Sequence, residues 1–226
     1  MRVLILGGTG VFGSRLCRLL AGHPGIALTV AARDRAAVDA LAHELGIAGR
    51  AFDWHSELDR VLGEGDHDVV VHAAGPFQGQ DYGVAECCIR HGVHYLDLAD
   101  DAAFVHGIDS LHDAALTAGV LVCAGASTAP ALTGAVVEEA LNAGPVERVA
   151  FGIMPGNDAP RGPALVAAIV GSAGRSIMTP LMPRLKLVTL SNEAGAPTGR
   201  ACLSGAMAAS SAALAAGSRP SKALLL

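Results

Sequence analysis

A glycine-rich turn between an apolar run and an amphipathic segment restricts the fold of this chain more than any other feature. Residues 3–6 are apolar, and the glycines that follow are Gly7, Gly8, Gly10 and Gly13. This G-x-G-x-x-G spacing between a strand and a helix is typical of a turn whose backbone N–H groups bind a dinucleotide pyrophosphate. We expect Gly8 to permit the tight turn, Gly10 to let the backbone approach the phosphates, and Gly13 to let helix and strand pack closely. The alternative is a glycine turn that binds no ligand.

Short apolar runs alternate with helical segments up to about residue 125. Continuous apolar runs separated by helices indicate parallel strands that are buried on both faces. The sequence therefore predicts an α/β fold with a doubly wound parallel sheet. The predicted strands are 3–6, 27–31, 50–52, 69–72, 94–98 and 120–123, and the predicted helices are 11–22, 34–46, 79–91 and 101–118. A helix capped by Ser127 and running to about residue 143, a strand at 146–154 and a helix at 162–173 follow.

The composition changes near Arg175, because both lysines lie beyond this residue and all histidines and aromatic residues lie before it. We predict a dinucleotide-binding domain at 1–145 and the start of a substrate domain at 146–175. Residues 176–226 are rich in small residues and lack aromatic ones, so they predict a poorly ordered tail that replaces most of the second domain. A truncated or frame-shifted end would explain this tail.

Overall composition excludes several classes of protein. The chain has 226 residues and is 51% hydrophobic, which is enough apolar material for a folded core. Its net charge of −5 and the lack of a basic stripe argue against a nucleic-acid partner. No run reaches the roughly 18 apolar residues that a membrane span needs. Five cysteines without CxxC spacing predict neither a disulfide framework nor a zinc ribbon, and hence a reducing cytoplasm.

The end of the second predicted strand bears on the choice of cofactor. An NAD site places an acidic residue there, about 20 residues after the glycines, to bind the ribose hydroxyls. This chain has the small residues Ala31 and Ala32 followed by Arg33. A guanidinium binds a 2′-phosphate through forked, charge-assisted hydrogen bonds, so the pattern favours NADP over NAD. The alternative is that Arg33 is only solvated and that Asp34 only caps its helix.

Two further strand ends are expected to border the cofactor. Asp53 follows the third predicted strand, where its carboxylate could accept from the adenine amino group or lie on a surface turn. Ala74, Gly75 and Pro76 follow the fourth strand and form a small loop. Ligands of open α/β sheets bind at the carboxyl ends of the strands, so this loop is expected to border the ribose and the nicotinamide.

Candidate catalytic groups are less specific. Asp97 or Asp100 could orient a substrate amine or relay a proton, but Asp100 or Asp101 could equally cap the next helix. His72 reads as a core residue, and Cys87 and its neighbour Cys88 cannot both face one metal from a helix, so we predict no metal site. Residues before Arg175 include no lysine, which excludes the Tyr-x-x-x-Lys pair of short-chain dehydrogenases there. The catalytic acid or base stays unassigned.

Four segments resemble saccharopine dehydrogenase-like proteins: GGTGVFG, VAARD, HAAGPFQGQDYGVAECCIRHGVHYLDLADD and AGVLVCAGASTAPALTGAVV. The resemblance spans roughly residues 1–175. It implies a Rossmann-type NADP-binding domain followed by a separate substrate and dimerisation domain, and hence a homodimer. The chain departs from the family pattern after Arg175. By the resemblance, the cofactor would be bordered by Gly7, Gly8, Gly10, Phe12, Arg33 and Gly75.

Together these observations predict an NADP-dependent oxidoreductase that transfers a hydride to or from an unidentified small molecule. The alternative is a non-catalytic NADP(H)-binding sensor or regulator. The complete set of predicted cofactor contacts is Gly7, Gly8, Thr9, Gly10, Val11, Phe12, Gly13, Arg33, Asp53, Ala74, Gly75 and Pro76.

Overall fold

The computed structural model describes residues 1–145, 148–150, 162, 166–167, 170, 176–177, 185–186 and 223–225. Its main feature is a six-stranded parallel sheet flanked by helices. The strands are β1 (Arg2–Leu6), β2 (Ala27–Ala32), β3 (Ala48–Ala51), β4 (Val69–His72), β5 (His94–Asp97) and β6 (Val122–Cys123). The helices are α1 (Val11–Leu20), α2 (Arg35–Leu45), α3 (Trp54–Gly63), α4 (Gly83–Arg90), α5 (Ala102–Gly107), α6 (His112–Ala118) and α7 (Thr133–Ala143).

The strand order is β3-β2-β1-β4-β5-β6, which confirms the predicted doubly wound sheet. The order reverses between β1 and β4, and open α/β sheets bind their ligands at this switch point. Leu6 at the end of β1 pairs with Ala31 of β2 and with His72 of β4, and His72 pairs in turn with Asp97 of β5. The loops that follow these strands therefore emerge together at one side, which we call the carboxyl edge.

Both faces of the sheet are covered, because successive side chains of a strand point to opposite faces. In β1, Val3 and Ile5 join one buried cluster with Val38 of α2, and Leu4 and Leu6 join another. The second cluster includes Val61, Leu62, Cys88 and Tyr95. This burial on two sides explains why β1 and β4 read as continuous apolar runs rather than alternating ones.

Two parts of the structure differ from the predicted elements. Helix α3 was not predicted, although Asp53 caps it and its buried residues Leu58, Val61 and Leu62 follow helical spacing. The segment predicted as one helix over 101–118 is divided into α5, a 3-10 helix (Ile108–Leu111) and α6. The first division falls at Gly107, whose Cα lies against the hydroxyl of Tyr82 and leaves no space for a side chain.

Smaller corrections concern element boundaries. Strand β3 lies at Ala48–Ala51 instead of the predicted 50–52, and α4 starts at Gly83 instead of residue 79. The helix predicted to begin with a Ser127 cap starts as a π-helical turn (Thr128–Leu132) ahead of α7. In this turn the carbonyl oxygen of Ser127 accepts from the N–H groups of Ala131 and Leu132.

The chain beyond residue 145 contributes short paired strands. β7 (Arg148–Ala150), inside the strand predicted at 146–154, pairs in parallel with β10 (Ala223–Leu225). β8 (Ser176–Ile177) pairs antiparallel with β9 (Leu185–Lys186). Most of the helix predicted at 162–173 and most of the predicted tail lie outside the described residues. Within the described part of the chain, no helix has the length and apolar character needed to cross a membrane.

Candidate functional site

The turn between β1 and α1 is built on a left-handed glycine. Gly7 has a φ of +72°, and its carbonyl oxygen accepts from the N–H of Gly10 at 2.9 Å. A Cβ atom at Gly7 would lie 2.8 Å from the backbone nitrogen of Ala74. The tight-turn role that the spacing assigned to Gly8 therefore belongs to Gly7, because only Gly7 of the turn has the backbone conformation that disfavours side chains.

Gly8 and Gly13 are required by close packing. The N–H of Gly8 donates to the carbonyl oxygen of Ala31 at 3.0 Å, and a Cβ atom on Gly8 would lie 2.5 Å from Cγ2 of Val30. A Cβ atom on Gly13 would overlap the carbonyl oxygen of Gly7 and lie 2.7 Å from Cα of Gly8. Gly13 thus holds α1 directly against the turn, as the sequence predicted.

The N-terminus of α1 is open. Gly10 is the N-cap residue and provides no side-chain cap, and Thr9 before it is half-buried. The N–H groups of Val11, Phe12 and Gly13 have no acceptor within the described residues. A helix N-terminus combines such free donors with the positive end of the helix dipole, so it binds anions. A Cβ atom on Gly10 would meet only the carbonyl oxygen of Gly7 within 4 Å, so the backbone there is accessible to a ligand.

The ends of β2 and β3 place two predicted residues near one another. Arg33 is exposed, and the side chain of Asp34 caps α2 by accepting from the N–H of Ala37 at 3.1 Å. Oδ1 of Asp53 accepts from the N–H of His55 at 3.2 Å and lies 3.0 Å from its Nδ1. These bonds to His55, with a smaller effect from the charge of Arg33, lower the pKa of Asp53. An ionised carboxylate and a guanidinium therefore lie at the same end of the carboxyl edge.

The loop after β4 lies directly beside the glycine turn. The N–H of Ala73 donates to the carbonyl oxygen of Leu6 at 2.9 Å. Nε2 of Gln80 donates to the carbonyl oxygens of Ala74 at 3.1 Å and Pro76 at 2.6 Å, and the Gly75–Pro76 peptide is cis. Gln80 fixes this loop, and no local sequence pattern predicts such a role because the side chain reaches back over four to six residues.

A buried polar network lies behind this loop. The hydroxyl of Tyr95 donates to Oδ2 of Asp97 at 2.9 Å and lies 3.3 Å from Nδ1 of His72. Oδ1 of Asp97 accepts from the N–H groups of Ala99 at 2.9 Å and Gly125 at 2.7 Å. Burial raises the pKa of Asp97 and lowers the pKa of His72 to about 4. His72 is therefore a core residue, as predicted, and it is neutral at pH 7.

The structure also places the acidic residues that the sequence offered as catalytic candidates. Asp97 is 0% exposed, so it does not face a substrate as one sequence interpretation allowed. Asp101 caps α5 by accepting from the N–H of Phe104 at 3.0 Å, as the alternative interpretation held. Asp100 is exposed and lies 3.5 Å from Nε2 of Gln78.

A parallel sheet of this order, with a glycine turn and an open helix N-terminus at its switch point, defines a dinucleotide-binding domain of the Rossmann type. The chain belongs to the family described as saccharopine dehydrogenase NADP binding domain, whose sequence model matches residues 3–139. NADP is thus the cofactor of this domain, as the end of β2 predicted.

Solved structures are similar to this chain. Saccharopine dehydrogenase (L-Glu forming) from Saccharomyces cerevisiae superposes with a TM-score of 0.54 at 24% identity, over 63% of this chain and 31% of that one. Myo-inositol 2-dehydrogenase from Lactobacillus plantarum gives a TM-score of 0.49 at 17% identity, over 69% of this chain and 46% of that one. This chain therefore spans about a third of the length of the yeast enzyme. A search of curated proteins found no match.

Proposed function

We propose that this protein is an NADP-dependent oxidoreductase that exchanges a hydride between the nicotinamide and a small organic substrate. The observation that carries this proposal is the open N-terminus of α1, which follows β1 at the switch point of the sheet. The N–H groups of Val11, Phe12 and Gly13 there have no acceptor within the described residues. When bound, the cofactor supplies the hydride chemistry, and the protein supplies binding and orientation.

The residues along the carboxyl edge suit successive parts of NADP. The pyrophosphate binds at the glycine turn and the start of α1. Arg33 binds the 2′-phosphate, and Asp53 accepts from the adenine amino group. Oδ2 of Asp53 has no partner within the described residues, which supports this role. Ala74 and its loop, fixed by Gln80, border the ribose next to the nicotinamide.

Affinity for the two cofactors tests the assignment of Arg33. Replacing Arg33 with Ala is expected to weaken NADPH binding by about 10- to 100-fold, because a charge-assisted hydrogen bond contributes roughly 1.5–3 kcal/mol. NADH binding should stay unchanged, because NADH has no 2′-phosphate. Arg35→Ala is the matched control, since Arg35 is exposed two residues further along. Equal losses for NADPH and NADH would refute the 2′-phosphate role.

A non-catalytic NADP(H) sensor is the second candidate function. The observation that favours it is the enclosure of Asp97, whose carboxylate is fully buried and accepts three hydrogen bonds. Such a group cannot exchange protons readily with a substrate. NADPH oxidation and NADP reduction, measured over a panel of amino acids and keto acids, separate the two functions. Tight NADPH binding without turnover on any of them would favour the sensor.

The proposal extends to the cellular compartment and the oligomeric state. We place the protein in the cytoplasm as a homodimer that acts on a small molecule. The support for a reducing compartment is that Cys17, Cys87, Cys88 and Cys123 are all free thiols. Sedimentation of the full chain tests the dimer.

A further inference from the structure

Three potential ligand atoms for a metal converge between α3 and α4, away from the carboxyl edge. Asp59 belongs to α3, Cys87 belongs to α4, and His91 follows α4 directly. Sγ of Cys87 lies 3.7 Å from Oδ1 of Asp59, and Nε2 of His91 lies 3.1 Å from the same oxygen. All three ligand atoms lie within 4.8 Å of one another. Cys87 and His91 are four residues apart, so they share one face of the helix.

These separations fit a tetrahedral zinc ion. Bonds of about 2.3 Å to sulfur and 2.0–2.2 Å to nitrogen and oxygen place tetrahedral S and O ligands about 3.6 Å apart, and N and O ligands about 3.4 Å apart. The corresponding distances here are 3.7 Å and 3.1 Å. We propose that Asp59, Cys87 and His91 bind Zn²⁺, with water as the fourth ligand.

Asp59 is exposed while Cys87 is buried, and the carboxylate of Asp59 already binds a competing cation. Nη2 of Arg90 lies 3.0 Å from Oδ1 of Asp59, so the guanidinium occupies the position next to the carboxylate. The side chains of Arg90 and Asp59 are 58% and 67% exposed. A surface ion pair of this kind contributes at most about 1 kcal/mol, so Zn²⁺ displaces Arg90 into solvent at little cost.

Position in the fold separates this site from the cofactor site. The chain leaves β4 at the carboxyl edge, and α4 returns it to the opposite edge, where β5 begins at His94. Bound zinc therefore joins α3 to the end of α4 and takes no part in hydride transfer. Its effect is on the stability of this helix pair, because ligand that binds only the native state stabilises it.

Binding releases the thiol proton. Burial raises the pKa of Cys87 to about 11, with Arg90 opposing the shift and Asp59 adding to it, so the metal-free site holds a neutral thiol at pH 7. When zinc binds, the S–H bond breaks, the proton passes to solvent, and a bond from sulfur to zinc forms.

Titration of the full chain with ZnCl₂ against a chromophoric chelator tests the proposal, with Co²⁺ absorption as a second readout because thiolate coordination gives a charge-transfer band. Cys87→Ser, His91→Gln and Asp59→Asn should each weaken zinc binding by at least about 10- to 100-fold, since the loss of an outer-shell partner alone costs that much. Cys123→Ser and His106→Gln are matched controls outside the site and should bind as the wild type does. A wild type without binding, or variants that bind as the wild type does, would overturn the proposal.

The Arg90→Ala variant tests the metal site without removing a ligand, so its effect does not depend on a loss of folding. This variant removes the competing guanidinium and keeps all three ligands, so it should bind Zn²⁺ about 2- to 5-fold more tightly, which corresponds to less than about 1 kcal/mol. Far-UV circular dichroism and NADPH binding check that each variant is folded. A weaker affinity in folded Arg90→Ala would contradict the proposed geometry, because Arg90 would then support metal binding rather than compete with it.

Discussion

The glycine turn after β1 and the buried network at the ends of β4 and β5 lie at the same edge of the sheet but are built in opposite ways. The turn consists mainly of glycine backbone, and the N–H groups of Val11, Phe12 and Gly13 have no acceptor within the described residues. The network consists of side chains without solvent access, and the carboxylate of Asp97 accepts three hydrogen bonds.

This difference separates groups that can bind a ligand from groups that stabilise the fold. Free N–H groups at an accessible helix end can bind an anion, whereas a carboxylate that is buried and fully hydrogen-bonded stabilises the loops that it joins. Asp97 connects the segment after β5 to Gly125 after β6. We therefore expect changes in the turn to affect NADP affinity and changes in the network to affect mainly the free energy of unfolding.

The largest effect is expected from Asp97→Ala. This change leaves the buried N–H groups of Ala99 and Gly125 without an acceptor, and each such loss costs roughly 1–3 kcal/mol, so urea denaturation should show a free energy of unfolding about 3–5 kcal/mol lower. Asp97→Asn keeps the Oδ1 acceptor and should cost about 1–2 kcal/mol. NADPH affinity of the folded fraction should change less than threefold. A large loss of affinity in folded protein would mean that the network takes part in binding.

The next largest effect is expected within the turn itself. Gly13→Ala places a Cβ atom against the backbone of Gly7 and Gly8, so it should lower stability by about 2–3 kcal/mol and weaken NADPH binding as well. Gly10→Ala meets only the carbonyl oxygen of Gly7 at 3.1 Å and should cost less than about 1 kcal/mol. Its methyl group should still weaken NADPH binding, because it obstructs the approach of the pyrophosphate. Thermal unfolding and NADPH fluorescence titration measure both quantities.

The turn and the sheet could be predicted because their signals are local. The spacing of Gly8, Gly10 and Gly13 between a strand and a helix is contained in one short segment, as are the apolar runs of the parallel strands. The sequence could not show that Gly7 makes the tight turn and that Gly8 is required by close packing. Both roles depend on the approach of Ala74 and Val30. These contacts arise only when β2 and β4 lie on either side of β1.

The network and the α3/α4 cluster of Asp59, Cys87 and His91 depend on residues far apart in the sequence. Asp59 and His91 are separated by 32 residues, so nothing in either segment indicates the contact. The sequence argument against a metal did not combine Asp59 with Cys87 and His91, because it considered only ligands close together in the sequence. Helix α3 does have a local signal, because the apolar residues Leu58, Val61 and Leu62 follow the Asp53 cap at helical spacing. Asp53 also fits a turn or a ligand residue, so the cap alone does not predict the helix.

A smaller effect concerns pH and the network. The pKa of buried His72 is lowered to about 4 from an ordinary value of 6.5, so below pH 6.5 the unfolded chain binds the proton more strongly. Stability is therefore lost as pH falls from 6.5 towards 4, and the contribution of His72 at pH 5 is a loss of about 2 kcal/mol.

Replacing His72 with Gln should remove this contribution, and urea denaturation at pH 7 and pH 5 measures the difference between variant and wild type. The raised pKa of Asp97 acts with the opposite sign, because its stability contribution is lost as pH rises. The informative quantity is therefore the difference in unfolding free energy between the variant and the wild type at each pH, rather than the pH dependence of either protein alone. The same pH dependence in both would show that folding does not lower the pKa of His72.

The smallest effect is expected at the contact between the two regions. Gln80→Ala removes the hydrogen bonds to Ala74 and Pro76, and a partly exposed pair of hydrogen bonds should cost about 1 kcal/mol. NADPH affinity should fall about 3- to 5-fold, because the loop beside the glycine turn loses its support. Gln78→Ala is the matched control: its Nε2 lies 3.5 Å from Asp100 and makes no such bridge. Equal NADPH affinity in both variants would show that the turn binds the cofactor without help from the loop after β4.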